Sequence, residues 1–156
     1  MTNLSNIEND QEKSLALTLE KDILGSFAIQ IPKSVNHIYG VSKNRQIYLK
    51  TVAKDIVTDI SNRTLAILPT GWESIAQEWV ENHWVIVDVD TYDNFKFDLS
   101  NRHYLISNGI ERGLGIDDRN FLFRDNHRLY TETNQRVVLT IRREPIGTDN
   151  IKRRRK

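Results

Sequence analysis

Between Trp72 and Asp90 the hydrophobic period of this chain changes from 3.6 residues to 2, and that change restricts the fold more than any other feature. In "TGWESIAQEWVENHW" the residues Trp72, Ile75, Ala76, Trp79 and Val80 fall at the three-and-four spacing of one helical face. Thr70 precedes them with Glu73 three residues on, the spacing of a capping box, which predicts a helix over 71–82. "WVIVDVD" then alternates, placing Val85, Val87 and Val89 on one face and Trp84, Ile86, Asp88 and Asp90 on the other. A chain that switches period in this way needs a sheet with a helix laid against it.

The flanking segments extend the pattern. In "SKNRQIYLKTVAKDIVTDI", Leu49, Val52, Ala53, Ile56, Val57 and Ile60 predict an amphipathic helix over 43–60, followed by "TLAILP" as a short buried strand or extended segment. "FKFDL" alternates again, so with "TYDN" as turn chemistry it reads as the second arm of a hairpin with "WVIVDVD". Asn108-Gly109 after "HYLIS" is a second hairpin signal. "FLF", "RLYTE" and "RVVLTIRRE" read as further strands, the last two paired across "TNQ". Towards the start, "SFAIQIP" reads as a strand with Phe27, Ile29 and Ile31 on one face, whereas residues 13–24 fit both helix and strand spacing, with helix favoured on propensity. The sum is an α+β fold: a mostly antiparallel sheet, arranged as a meander of hairpins in the last two thirds, with two or three amphipathic helices packed on one face.

Composition settles the broad class. With 38% hydrophobic and 28% charged residues in 156, the chain is of globular type and has the length of one domain. We expect a flexible polar arm at 1–12, a single domain over 13–146 and a flexible basic tail at 147–156. Cysteine is absent, which removes disulfides, thiolate metal sites and cysteine nucleophiles and suits a cytoplasmic setting. No stretch has the roughly 20 apolar residues of a membrane-spanning helix, so no membrane partner is expected.

Motifs of known chemistry are weak. Asp88, Asp90, Asp93 and Asp98 gather with Lys96 around the expected hairpin, a pattern that raises a divalent-metal nuclease built on Asp88 and Asp90, with Glu73, Glu78 or Asp98 as a further acid. Asn94 stands where such a motif wants an acid two residues before Lys96. His37, His83, His103 and His127 show no metal-ligand spacing, and no Gly-x-Ser-x-Gly occurs. Gly109, Gly113 and Gly115 lack the helix and third glycine of a nucleotide loop and are expected to shape a bend or bulge in the sheet. No cofactor or metal and no catalytic residue is assigned.

Charge gives the positive signal. From Thr133 to Lys156 there are eight basic residues and two acids, a balance of +6, so with an overall charge of +1 the preceding residues carry −5. Such asymmetry points to a polyanionic partner. The expected phosphate-contacting residues are Arg136, Arg142, Arg143, Lys152, Arg153, Arg154, Arg155 and Lys156, with Arg136, Thr140 and Arg142 on one strand face. Tyr92, Phe95, Tyr104, Phe121, Phe123 and Tyr130 are the aromatic residues available for stacking on bases. The leading expectation is a small non-enzymatic binding or regulatory protein, an accessory of a larger assembly, that contacts DNA or RNA through this basic strand and tail. The alternatives are a protein–protein adaptor, inhibitor or assembly component, with a protein partner or a second copy of the chain, and the nuclease.

Overall fold

The computed structural model describes residues 22–31, 39–45, 47–93, 99–129 and 136–147. A four-stranded sheet is formed by β1 (Ile23–Ile29), β4 (His83–Asp93), β5 (Phe121–Leu129) and β6 (Arg136–Pro145) in the order β1-β6-β4-β5. A separate antiparallel ribbon pairs β2 (Tyr39–Val41) with β3 (Ile47–Leu49). The helices are α1 (Thr51–Ala66), α2 (Trp72–Asn82) and α3 (Leu99–Leu114). The pairs β1–β6 and β4–β6 are antiparallel and β4–β5 is parallel, so the fold is α+β with a mixed, mostly antiparallel sheet and helices packed against it.

Period 2 places the core. Val85, Val87 and Val89 of β4 and Val137, Leu139 and Ile141 of β6 are buried in one cluster with Ile29 of β1. The same cluster holds Ala53, Ile56, Val57 and Ile60 of α1, Trp72, Ile75 and Trp79 of α2, and Leu105, Ile106, Ile110 and Leu114 of α3. Burying each large apolar side chain contributes roughly 1.5–3 kcal/mol, so these three helices against one sheet face supply the main favourable term for folding. Trp72 and Trp79, one helical face apart by seven residues, meet edge to face at 5.1 Å, and the Trp72 indole donates to the Leu114 carbonyl at 2.8 Å, tying α2 to the end of α3.

Helix α2 matches its predicted span, but its start differs in detail. Gly71 is the N-cap at φ 79°, a left-handed conformation that glycine adopts without steric cost, and no side chain caps the helix, so the Thr70–Glu73 box does not form. Helix α1 starts eight residues later than predicted and runs six further. Residues 43–45 instead turn and 47–49 form β3, and "TLA" of "TLAILP" continues the helix because Thr64 faces α3.

The largest correction is α3. "HYLISNGIERGL" is helix, not the two arms of a hairpin, and Asn108-Gly109 makes no turn. Gly109 and Gly113 lie on the face that meets α1, while Gly115 at φ 69° ends the helix with its N–H on the Glu111 carbonyl at 2.9 Å. The three glycines therefore serve helix packing and helix termination, not a bend in the sheet.

Two pairings also differ from expectation. Both edges of β4 are taken, by β5 and β6, so no returning hairpin strand pairs with it; the strand runs on through Thr91, Tyr92 and Asp93, and Leu99 begins α3. Phe95 and Phe97 lie outside the described residues. "FLF" and the start of "RLYTE" merge into the single strand β5, which does not pair with β6. Instead β6 inserts between β1 and β4, and β4-α3-β5 forms a parallel unit with a helical crossover. In the ambiguous region near the start, Ile23 and Leu24 belong to β1; residues 13–21 lie outside the described residues, as do those of the polar arm.

Candidate nucleic-acid interface

The side chains of β6 divide between two environments. Arg136, Val138, Thr140, Arg142 and Glu144 alternate with the buried Val137, Leu139, Ile141 and Arg143, as strand geometry requires. The outer row faces Trp84, Ile86, Asp88, Asp90 and Tyr92 of β4 in register, since Ile86 pairs with Arg142, Asp88 with Thr140 and Tyr92 with Arg136.

Each described arginine of β6 is engaged. Arg142 donates to both oxygens of Asp88, at 2.5 and 3.3 Å, and to Glu144 at 2.7 Å. The hydrogen bonds it donates to Asp88 and then to Glu144 hold its guanidinium charged still more firmly than usual, and the bond from Arg142 in turn holds the Glu144 carboxyl below the ordinary range. Glu144 also accepts from Arg124 of β5 at 2.8 Å. Arg143 points to the core side, only 7% exposed, with its guanidinium 5.5 Å from the Trp79 ring centroid and 2.9 Å from Glu78. Arg136 lies over the Tyr92 ring at 4.7 Å. Lys152, Arg153, Arg154, Arg155 and Lys156 lie outside the described residues.

The acids proposed for metal binding are accounted for in part. Asp88 is bound to Arg142, and Asp90 lies on the same strand face two residues on. Among the described residues no group of three or more His, Asp or Glu side chains is arranged to hold a metal ion. Lys96 and Asp98 lie outside the described residues. Of the histidines, His83 caps α2 and meets Glu78 at 3.3 Å, and His103 of α3 meets Asp125 of β5 at 2.8 Å while stacking on Phe123. Among the aromatics, Phe121 is buried and Tyr104 exposed.

A cationic patch that the sequence reading passed over stands at the other end of the chain. The residues from Gln30 to Lys54 include Lys33, Lys43, Arg45, Lys50 and Lys54 and no acid. Lys43, Arg45, Lys50 and Lys54 are all exposed and have no carboxylate partner among the described residues, whereas Arg63, Arg119, Arg124, Arg142 and Arg143 each face one. The signal in the sequence is charge segregation over these 25 residues, which the helical spacing of Leu49, Val52, Ala53, Ile56, Val57 and Ile60 overlies.

No protein-family model matches this chain, and no curated protein is significantly similar to it. No helix among the described residues is long and apolar enough to cross a membrane.

Proposed function

We propose that this is a non-enzymatic binding protein, an accessory or regulatory component of a larger assembly in the cytoplasm, that contacts the phosphates of nucleic acid through the basic segment Lys152–Lys156. The observation that carries this reading is the contrast in how charge is spent along β6 and beyond it. Arg142 and Arg143 are neutralised by Asp88, Glu144 and Glu78 within the domain, while five cations follow Ile151 with no acid among them. Clustered cations that neutralise phosphates release the counterions condensed on a nucleic-acid backbone. Contacts of this type give affinity without base specificity.

The test is binding of labelled single- and double-stranded DNA and RNA across a salt series, for the full chain and for a chain ending at Asn150. The expected result is weaker binding and a salt slope flatter by about 4 for the shorter chain, since each phosphate neutralised on duplex DNA contributes roughly 0.9. Equal binding by the two chains would remove the segment from the interface.

A further inference from the structure

We propose that the β2–β3 ribbon and the start of α1 form a second contact, for the backbone and major groove of duplex DNA. This rests on the nucleic-acid reading above but uses different residues. The ribbon is closed by a turn in which the Arg45 N–H donates to the Ser42 carbonyl at 2.9 Å, with Arg45 at φ 59° and Lys43, Asn44 and Arg45 all exposed at the tip. Among the described residues it pairs with no strand of the main sheet. Lys50, immediately after β3, is the N-cap of α1, and its carbonyl accepts the Lys54 N–H at 3.1 Å. Four cations are thus set at the tip and the base of one short arm.

Their surroundings make an anionic partner the complement. No acid stands in the first turn of α1, and no side chain caps it. Lys50 and Lys54 are four residues apart, where like charges on a helix repel, at the helix end that already carries positive partial charge. The domain pairs most of its other described cations with carboxylates, so this patch presents the charge that is left over. Val41, on the ribbon beside the tip, is 68% exposed. A two-stranded ribbon has the width of the B-form major groove, where an apolar side chain can meet a thymine methyl group and basic residues on either side reach phosphates. The deep, narrow major groove of A-form RNA does not admit such an arm.

The experiment compares the full chain with a variant carrying Lys43→Gln, Arg45→Gln, Lys50→Gln and Lys54→Gln, after melting curves show that both fold. A labelled 20-base-pair DNA duplex and an RNA duplex of the same sequence are titrated across a salt series. We expect the variant to lose about tenfold or more in DNA affinity and about 3 to 4 in salt slope, and the parent to favour the DNA duplex. A folded variant that binds DNA as the parent does, or a parent that favours the RNA duplex, overturns the proposal. The chain ending at Asn150 separates the two readings. If it binds like the parent while the ribbon variant does not, the ribbon contact stands and the Lys152–Lys156 reading falls; if neither duplex binds the parent, both fall.

Discussion

Gly109 of α3 lies so close to Ile60 of α1 that a Cβ added to the glycine would stand 2.5 Å from the Ile60 Cβ and 3.1 Å from the Val57 carbonyl oxygen. Four residues on, a Cβ on Gly113 would stand 2.5 Å from the Thr64 Cβ. The two helices approach along a stripe where α3 presents bare backbone to the Ile60 and Thr64 side chains of α1.

Gly109→Ala should therefore destabilise the fold, although alanine is the better helix former. The propensity gain is about 1 kcal/mol, and overpacking a site bounded by a β-branched side chain and backbone costs about 1–3 kcal/mol, with the clash here well inside van der Waals contact. Urea unfolding of Gly109→Ala and Gly113→Ala should show lower midpoints for both. Ile60→Ala combined with Gly109→Ala should not restore the parent's midpoint, because alanine keeps the Cβ that stands 2.5 Å from the added one and loses only the Cγ2 contact.

These contacts explain where the sequence was legible and where it was not. Strands β4 and β6 were readable because one face of each is buried and period 2 follows directly from that. Helix α2 was readable because its apolar face is broad and carries two tryptophans. Helix α3 was not, although Leu105, Ile106, Gly109, Ile110 and Gly113 keep helical spacing. Its interior glycines and Asn108-Gly109 are local turn signals, and only the neighbouring α1 turns them into a packing surface. The parallel β4–β5 pair is hidden for the same reason, since a parallel connection needs a crossover helix and these turn signals mask it. The insertion of β6 between β1 and β4 is a long-range choice that no local pattern encodes. At the candidate interface, the basic strand was legible but its partners were not, because Asp88 and Glu78 meet Arg142 and Arg143 only through β4 and α2.

Glu78→Ala should cost more stability than Arg143→Met. Glu78 is partly exposed and rehydrates when Arg143 is removed, whereas Arg143 is buried and loses its 2.9 Å partner when Glu78 is removed. Asp22, 3.5 Å away and largely exposed, compensates little. Losing that charge-assisted bond at a buried guanidinium costs about 1–3 kcal/mol, while methionine keeps an apolar stem against Trp79. Thermal or denaturant unfolding of the two variants gives the order, and a larger loss for Arg143→Met would show that the cation over Trp79 is worth more than its pairing.

Acid should remove one small stabilising contribution and one small penalty, with opposite effects on stability. The Arg119 side chain, and then its backbone N–H, hold the Asp117 carboxyl at about 2, below its ordinary 3.8. Its folded value is depressed, so its stabilising effect is present above the ordinary value and is lost as pH falls from there to about 2. Glu111 has the opposite sign: burial, then Asp118 and Asp117, raise its carboxyl, so its charge opposes folding once pH rises above the ordinary carboxylate range. Asp117 is well solvated, which keeps its effect modest. Stability measured from pH 7 to pH 2 should show Asp117→Asn below the parent at neutral pH and converging with it in acid. Glu111→Gln should rise relative to the parent as pH increases, and parallel curves for either variant would refute its assignment.

Arg142→Gln separates a cation that holds the sheet together from one that holds a phosphate. Its loss leaves Asp88 without its partner and Glu144 with Arg124 alone, on a part-buried sheet face, and should lower stability by about 1–3 kcal/mol. Because two carboxylates already neutralise Arg142, it releases few counterions on binding, and the DNA salt slope of the folded variant should match the parent. Replacing any one of Lys152, Arg153, Arg154, Arg155 or Lys156 by Gln should leave stability unchanged and lower the slope by about 0.9. A flatter slope for a folded Arg142→Gln would mean that Arg142 leaves Asp88 for a phosphate on binding. In that case Asp88→Asn, which frees the guanidinium in advance, should bind DNA more tightly than the parent.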